Sequence, residues 1–224
     1  MALTLVIGNK NYSSWSMRPW IAMKVAGIAF DEVVISLNDP DFKTVVGKIS
    51  GTGKVPALDD DGVHVWESLA ILEYLADKFP AAMLWPADPA ARAHARAIAA
   101  EMHAGFVPLR RACPMNMWRP VKKCALAGDA MANVRRIEAI WADCRRRFGA
   151  GGPFLFGAFG NADAMYAPVV ARLHTYDVDV SPPSRAYMDA VMALPAWREW
   201  HDAGVREPWV LAEDEVDWPT VLRV

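Results

Sequence analysis

The sequence predicts an α/β unit over residues 1–82 followed by an all-α unit, a helical bundle, over residues 89–224. Three observations predict it. Residues 1–80 carry strand and helix patterns in the order β-α-β, then β-β-α. The run Trp85-Pro86-Ala87-Asp88-Pro89 breaks the chain with two prolines around an Asp, which reads as a linker and a helix start. Beyond it strand signals almost vanish and helical runs take over.

The elements follow in order. Leu3 to Ile7 is apolar and rich in β-branched residues, and Gly8-Asn9 follows, so a buried strand ends in a turn. A polar loop, Asn11 to Ser16, leads into a helix from Met17 to Val25, with Ser16 as N-cap and Pro19 tolerated in the first turn. Gly27 stops it, and residues 32–36 form a second strand, which makes a β-α-β unit with parallel neighbours. Residues 55–59 and 63–66 are two short strands joined at Asp60-Asp61-Gly62, a hairpin signal. Ser68 caps an amphipathic helix with Leu69, Leu72, Leu75 and Ala76 on one face. Helices are then expected over 89–112, 126–148, 161–176, 183–194 and 195–204, separated by Gly151-Gly152-Pro153, Pro182-Pro183 and Pro195. The tail from 207, with Trp209 and Trp218, has no clear period and is expected to pack as an irregular arm.

Composition narrows the function. The 224 residues carry a net charge of −2 and are 54% hydrophobic, which supports a sizeable core and gives no attraction for nucleic acid or anionic lipid. Cys113, Cys124 and Cys144 lack any CxxC or histidine cluster, so neither a disulfide framework nor a zinc site is expected. No basic leader or membrane-length apolar run is present, and a reduced, soluble, cytoplasmic protein is the expectation.

Three junctions could carry chemistry. The first is Tyr12-Ser13-Ser14-Trp15-Ser16-Met17-Arg18, where hydroxyls meet a helix N-terminus that favours an anion. The same serines would also serve as plain caps. No GxSxG is present. The second is Lys54-Val55-Pro56, where a cis proline would turn the Val55 backbone toward a ligand, or simply begin an edge strand. The third is Glu67-Ser68, a carboxylate beside a helix start, which suits an amino-acid zwitterion as well as it suits capping.

Together, in this order, the three junctions resemble the N-terminal domain of glutathione transferases. The zeta-class loop Ser-Ser-Cys-Ser-Trp-Arg is similar to Ser13 through Arg18, and Ser68-Leu69-Ala70-Ile71-Leu72-Glu73-Tyr74-Leu75 is typical of the family. Glu101-Met102-His103-Ala104-Gly105-Phe106 looks like a bacterial subgroup of less defined substrate. The resemblance covers nearly the whole chain and implies a thioredoxin-like N-terminal domain before the helical one. It implies that Ser13 or Ser14 hydrogen-bonds the glutathione sulfur, that Val55 pairs its backbone with the cysteinyl part beside a cis Pro56, that Glu67 and Ser68 hold the γ-glutamyl end, and that Lys54 meets the glycyl carboxylate. Glutathione is then the co-substrate, a small electrophile the acceptor, a homodimer the expected assembly and detoxification the expected role.

The chemistry is consistent with this. A free thiol has a pKa of about 8.5, so little thiolate exists at pH 7. Lowering it by about 2 units takes roughly 2.7 kcal/mol, within reach of one or two charge-assisted hydrogen bonds.

Departures from the zeta pattern bear on substrate. Trp15 replaces the loop cysteine, and Thr175 stands where maleylacetoacetate isomerases of the class carry an arginine. Gly160 replaces the usual hydroxyl residue of the capping box whose other member is Asp163, read as structural. Met115-Asn116-Met117-Trp118 with Arg110 and Arg111 would line an acceptor pocket or simply pack, and His103 reads as an ordinary helix residue. Two alternatives remain beside the transferase: a non-catalytic binding module of the same fold, and a zeta-type maleylacetoacetate isomerase.

Overall fold

The computed structural model describes residues 3–215. Strand β1 is Leu3–Ile7, and it is central because its side chains are nearly all buried, as a continuous apolar run dictates. It pairs in parallel with β2, Phe30–Val34, from Leu3 opposite Phe30 to Ile7 opposite Val34. The five-residue length of β1 sets the limits of β2, two residues before the expected 32–36, and Ile35 adds one last bond to Ile7. On its other side β1 pairs antiparallel with β3, Ala57–Asp60, which pairs with β4, Val63–Trp66, so the sheet order is β2-β1-β3-β4. Asp61 and Gly62 both have positive φ, 53° and 91°, the backbone a tight two-residue hairpin demands. Strand β3 begins at Ala57 rather than 55, since Pro56 has no N–H to give the ladder; the Val55-Pro56 peptide is cis.

Helix α1 runs Ser14–Val25, three residues earlier than the expected start at Met17. The Asn9 carbonyl accepts from the amides of Tyr12 (3.2 Å) and Ser13 (2.7 Å), and this turn sets the start. Ser13, not Ser16, is therefore the N-cap residue, and Pro19 lies in the second turn rather than the first. Helix α2, Phe42–Val46, had no counterpart in the sequence reading. Helix α3, Ser68–Lys78, buries Ile71, Leu72 and Leu75. Its N-cap position is Glu67 and Ser68 is already helical, because Glu67 takes φ 69°, ψ 123° and cannot begin the helix itself.

The second half is helical. Helix α4 is Pro89–Ala104, capped by Asp88 accepting from the Ala91 amide at 2.8 Å, and α5 is Val107–Ala112. The single helix expected over 89–112 is broken because Phe106 is left-handed, φ 63°, and Pro108 in the next turn has no amide to continue the ladder. Helices α6 (Gly128–Phe148), α7 (Asn161–Thr175), α8 (Pro182–Met192) and α9 (Pro195–Arg206) follow close to expectation. Helix α7 is the axis of this half: every residue from Asn161 to Leu173 is buried. Asp163 accepts from the amides of Leu155 and Gly160 (both 3.0 Å) and from the Tyr187 hydroxyl (3.1 Å). Glycine has no side chain to complete the capping box, so Asp163 alone supplies it.

Helix α7 packs on α1, and this contact joins the two halves beside the first turn of α1. Asn161 adds to it: its amide donates to the Leu84 carbonyl (2.8 Å) and its Nδ2 to the Leu72 carbonyl of α3 (3.0 Å). After α9 the chain runs irregularly back past the sheet, with Asn38 Nδ2 donating to the Val210 carbonyl at 2.8 Å and a short 3-10 turn at Ala212–Asp214. Trp209 lies on this arm and Trp218 lies outside the described residues. Among the described residues no helix is long and apolar enough to cross a membrane.

Candidate active site

The loop between β1 and α1 is held from the other half of the chain. Glu207, just past α9, accepts from the Lys10 amide (2.6 Å) and the Asn11 amide (2.9 Å) with its two oxygens. Asn11 Oδ1 in turn accepts from the Met117 and Trp118 amides, at 2.6 and 3.2 Å. The serines that follow are thereby fixed in position before any ligand arrives.

The three hydroxyls have different partners. Ser13 donates to Ser16 Oγ at 2.8 Å, and Ser16 Oγ also accepts from the Gly8 amide at 3.1 Å. Ser16 thus ties the loop to the helix. Ser14 Oγ accepts from Arg172 Nη2 of α7 at 3.0 Å, which leaves its own proton to be donated. Ser13 and Ser14 are both only 6% exposed and both face one cavity of about 340 Å³. Tyr12, Phe42 and Met115 give that cavity apolar surface, and Arg110, Arg172, Lys54 and Asp214 give it charge.

A second cavity, about 210 Å³, is lined by Thr52, Lys54, Val55, Pro56, Glu67, Ser68 and His103. The two cavities share Trp15, Lys54 and Val55 as walls. All seven residues singled out in the sequence, from Ser13 to Ser68, line one or the other. Ser68 Oγ is buried without a hydrogen-bond partner, and Glu67 Oε2 stands 3.6 Å from His103 Nε2. Burial first, then the charge of Arg18, lowers the His103 pKa, so this imidazole is neutral at pH 7.

Beneath the loop lies a cluster of positive charge. Arg18 is 1% exposed, donates to the Met165 carbonyl at 3.3 Å and leaves Nη1 unpartnered. The guanidinium carbons of Arg18 and Arg110 stand 4.0 and 4.4 Å from the Trp15 ring centroid, and the His103 ring meets Trp15 edge-on at 5.2 Å. Arg172 is 7% exposed, and burial followed by the Arg110 charge lowers its pKa to about 10, so it stays charged at neutral pH. Among the described residues no carboxylate forms an ion pair with any of the three arginines. The Asp214 charge partly offsets the lowering at Arg172, and burial raises the pKa of Asp214 itself to about 6.

Other expectations divide. Of Met115 to Trp118 only Met115 faces the serine cavity; Trp118 packs edge-on against Tyr12 at 6.1 Å and donates its indole N–H to the Val205 carbonyl. Arg111 lies outside both cavities. Thr175 lines a different cavity beside Met117, and its carbonyl accepts from Arg119 at 2.7 Å. The arginine of α7 that reaches the serines is Arg172, one turn earlier, so Thr175 does not deprive the site of a guanidinium. Arg172 and Asp214 were not singled out in the sequence. A charged residue inside an otherwise apolar helix was the available signal for Arg172.

Both halves of the chain match known protein families. Residues 12–78 match the family model described as glutathione S-transferase, N-terminal domain, and residues 89–203 match that described as glutathione S-transferase, C-terminal domain. A maleylacetoacetate isomerase of Rattus norvegicus is 30% identical over 207 residues, covering 90% of this chain and 93% of the relative. One from Pseudomonas aeruginosa is 28% identical, covering 85% of this chain and 92% of the relative. A glutathione transferase homologue from Burkholderia gl BGR1, solved with bound glutathione, superposes with a TM-score of 0.69 at 24% identity, covering 91% of this chain and 98% of that one. With both halves matched and the thioredoxin-like and helical domains in their family order, the chain belongs to the glutathione S-transferase superfamily and is a glutathione transferase.

Proposed function

We propose that glutathione lies across the two adjoining cavities with its sulfur at Ser14 and its γ-glutamyl end at Glu67 and Ser68. The observation that carries this is that the serine loop and the Glu67-Ser68 junction line cavities with shared walls in Trp15, Lys54 and Val55. Glu67 offers a carboxylate to the ligand ammonium, and the Ser68 hydroxyl with the first-turn amides of α3 receives the ligand carboxylate. The Val55 backbone meets the cysteinyl portion, beside Pro56, and Lys54 meets the glycyl carboxylate. Ser14 is the thiol donor rather than Ser13, because the Ser13 proton is already given to Ser16. The thiolate so stabilised attacks a small electrophile seated on Tyr12, Phe42 and Met115, forming the carbon–sulfur bond as the leaving group departs. The chain acts as a cytoplasmic homodimer in detoxification, built from a glutathione-binding domain over 1–82 and a helical domain over 89–224.

Calorimetric titration with glutathione tests the binding mode. The wild type binds, while Glu67→Gln and Ser68→Ala each weaken binding about tenfold, the effect of one lost charge-assisted hydrogen bond. A wild type that shows no binding at millimolar glutathione refutes the reading and favours a non-catalytic module.

One second reading has specific support. The relatives named maleylacetoacetate isomerase match nearly the full chain, and Arg172 brings a guanidinium to the acceptor cavity. Turnover of maleylacetoacetate by the purified protein, lost in Ser14→Ala, would establish that activity.

A further inference from the structure

The donor at the acceptor side of Ser14 comes from 158 positions away in the chain, on the helix that joins the two halves. Arg172 is anchored independently of the serine: Nη1 donates to the Cys113 carbonyl and to the Arg110 carbonyl, the latter at 3.3 Å. Its other terminal nitrogen, Nη2, is thereby aimed at Ser14 Oγ. An N–H from a cation occupies one lone pair of the hydroxyl, draws electron density from it and turns its proton toward the cavity. Ser13, one residue away, has no such partner and spends its proton on Ser16.

We infer that Arg172 is the positioning residue that makes Ser14 the thiol donor, by holding the Ser14 hydroxyl with its proton toward the sulfur and keeping a buried positive charge behind it. The inference rests on the glutathione reading given above. In the step itself the S–H proton leaves to water at the cavity mouth, Ser14 keeps its own proton and shares it with the sulfur anion, and no bond forms between protein and glutathione. The charged and titratable groups around Arg172 are Arg18 and Arg110, which add to the positive field, Asp214, which opposes it, and the Cys113 thiol and Tyr176 hydroxyl. The cluster is buried, so salt screens its effect on the thiol far less than it screens a surface pair.

The test is a double-mutant cycle read by thiolate absorbance of bound glutathione against pH. Arg172→Met raises the apparent thiol pKa by about one unit, the size expected for one cation a few ångströms away through a partly screened medium. Activity falls about tenfold below that pKa and recovers above it, a pH profile that a merely structural loss would not give. Ser14→Ala raises the pKa by a similar amount, and the double variant shifts it by less than the sum of the two single changes, because part of the arginine's effect passes through the hydroxyl. Arg172→Lys keeps the charge and gives a pKa between wild type and Arg172→Met; it decides the matter should the Met variant fail to fold. An unchanged thiol pKa in Arg172→Met or, failing that, in Arg172→Lys overturns the inference, as do fully additive shifts with Ser14→Ala. Absence of glutathione binding by the wild type is a separate result that removes the functional reading itself.

Discussion

Replacing Asp163 with Ala should destabilise the protein by about 4 kcal/mol at pH 7. The carboxylate is 1% exposed and accepts three hydrogen bonds, from the Leu155 and Gly160 amides and the Tyr187 hydroxyl. Hydrogen bonds to a charged group contribute about 1.5–3 kcal/mol each, and removal of the acceptor orphans the donors. Against this stands the burial of the charge, which raises the Asp163 pKa from 3.8 to about 6 and outweighs the hydrogen bonds that lower it. A shift of that size corresponds to about 3 kcal/mol of strain relieved on removing the charge. The net loss is thus on the order of 2–6 kcal/mol, with the central value worth about 8–16 °C in Tm for a chain of this size. An amide side chain would keep the shape and one acceptor oxygen, so Asp163→Asn should cost less than Asp163→Ala. The sign with pH also follows. Unfolded Asp163 loses its proton near 3.8 and the folded form holds it to about 6, so its contribution to stability is largest below 3.8 and declines as pH rises to about 6. Thermal unfolding monitored by circular dichroism from pH 4 to 7 reads all of this. An Asp163→Ala variant melting within about 2 °C of wild type at pH 7, below the roughly 4 °C that even a 2 kcal/mol loss produces, would refute the reasoning.

Two further predictions concern the loop beneath the serines. A Cβ on Gly204 would stand 3.1 Å from both the Asn11 nitrogen and the Lys10 carbonyl carbon, so Gly204→Ala should press α9 away from the loop, cost about 1–3 kcal/mol by overpacking, and raise the KM for glutathione. Steady-state kinetics with glutathione varied would check it. Glu207→Gln turns an N–H donor toward the Lys10 or Asn11 amide; a lower Tm and a lower kcat/KM should appear together, and a kinetic effect without a stability effect would contradict the clamp.

Much of the fold was legible because its signals are local. Strand β1 is an apolar run closed by Gly8-Asn9, the hairpin declares itself in Asp60-Asp61-Gly62, and α7 follows a glycine and precedes Pro182. The misplacements have physical causes. Three serines close together offer three possible caps, and the choice of Ser13 depends on the Asn9 turn, which sequence does not announce. Glu67 lines the smaller cavity and is also the N-cap position, which the sequence did not announce because its backbone has a positive φ that a non-glycine residue rarely adopts. The break at Phe106 was foreshadowed by Pro108 and masked by the helix formers on either side. Around the two cavities, the wall residues on the β1–α1, α2–β3 and β4–α3 junctions were legible, since spacing along the chain orders them. Arg172, Asp214 and the facing of His103 were not, since only the packing of α7, α4 and the C-terminal arm against the first domain brings them there.

The central claim is that this cleft binds glutathione and ionises its thiol through Ser14. The measurement that addresses it most directly is the pH titration of thiolate absorbance for glutathione saturating the wild-type protein, repeated with Ser13→Ala and Ser14→Ala. The account predicts an apparent pKa at least one unit below the ordinary thiol value of about 8.5, little changed by Ser13→Ala and returned toward that value by Ser14→Ala. A bound thiol that titrates like free glutathione in the wild type, or whose shift disappears with Ser13→Ala and survives Ser14→Ala, would contradict it.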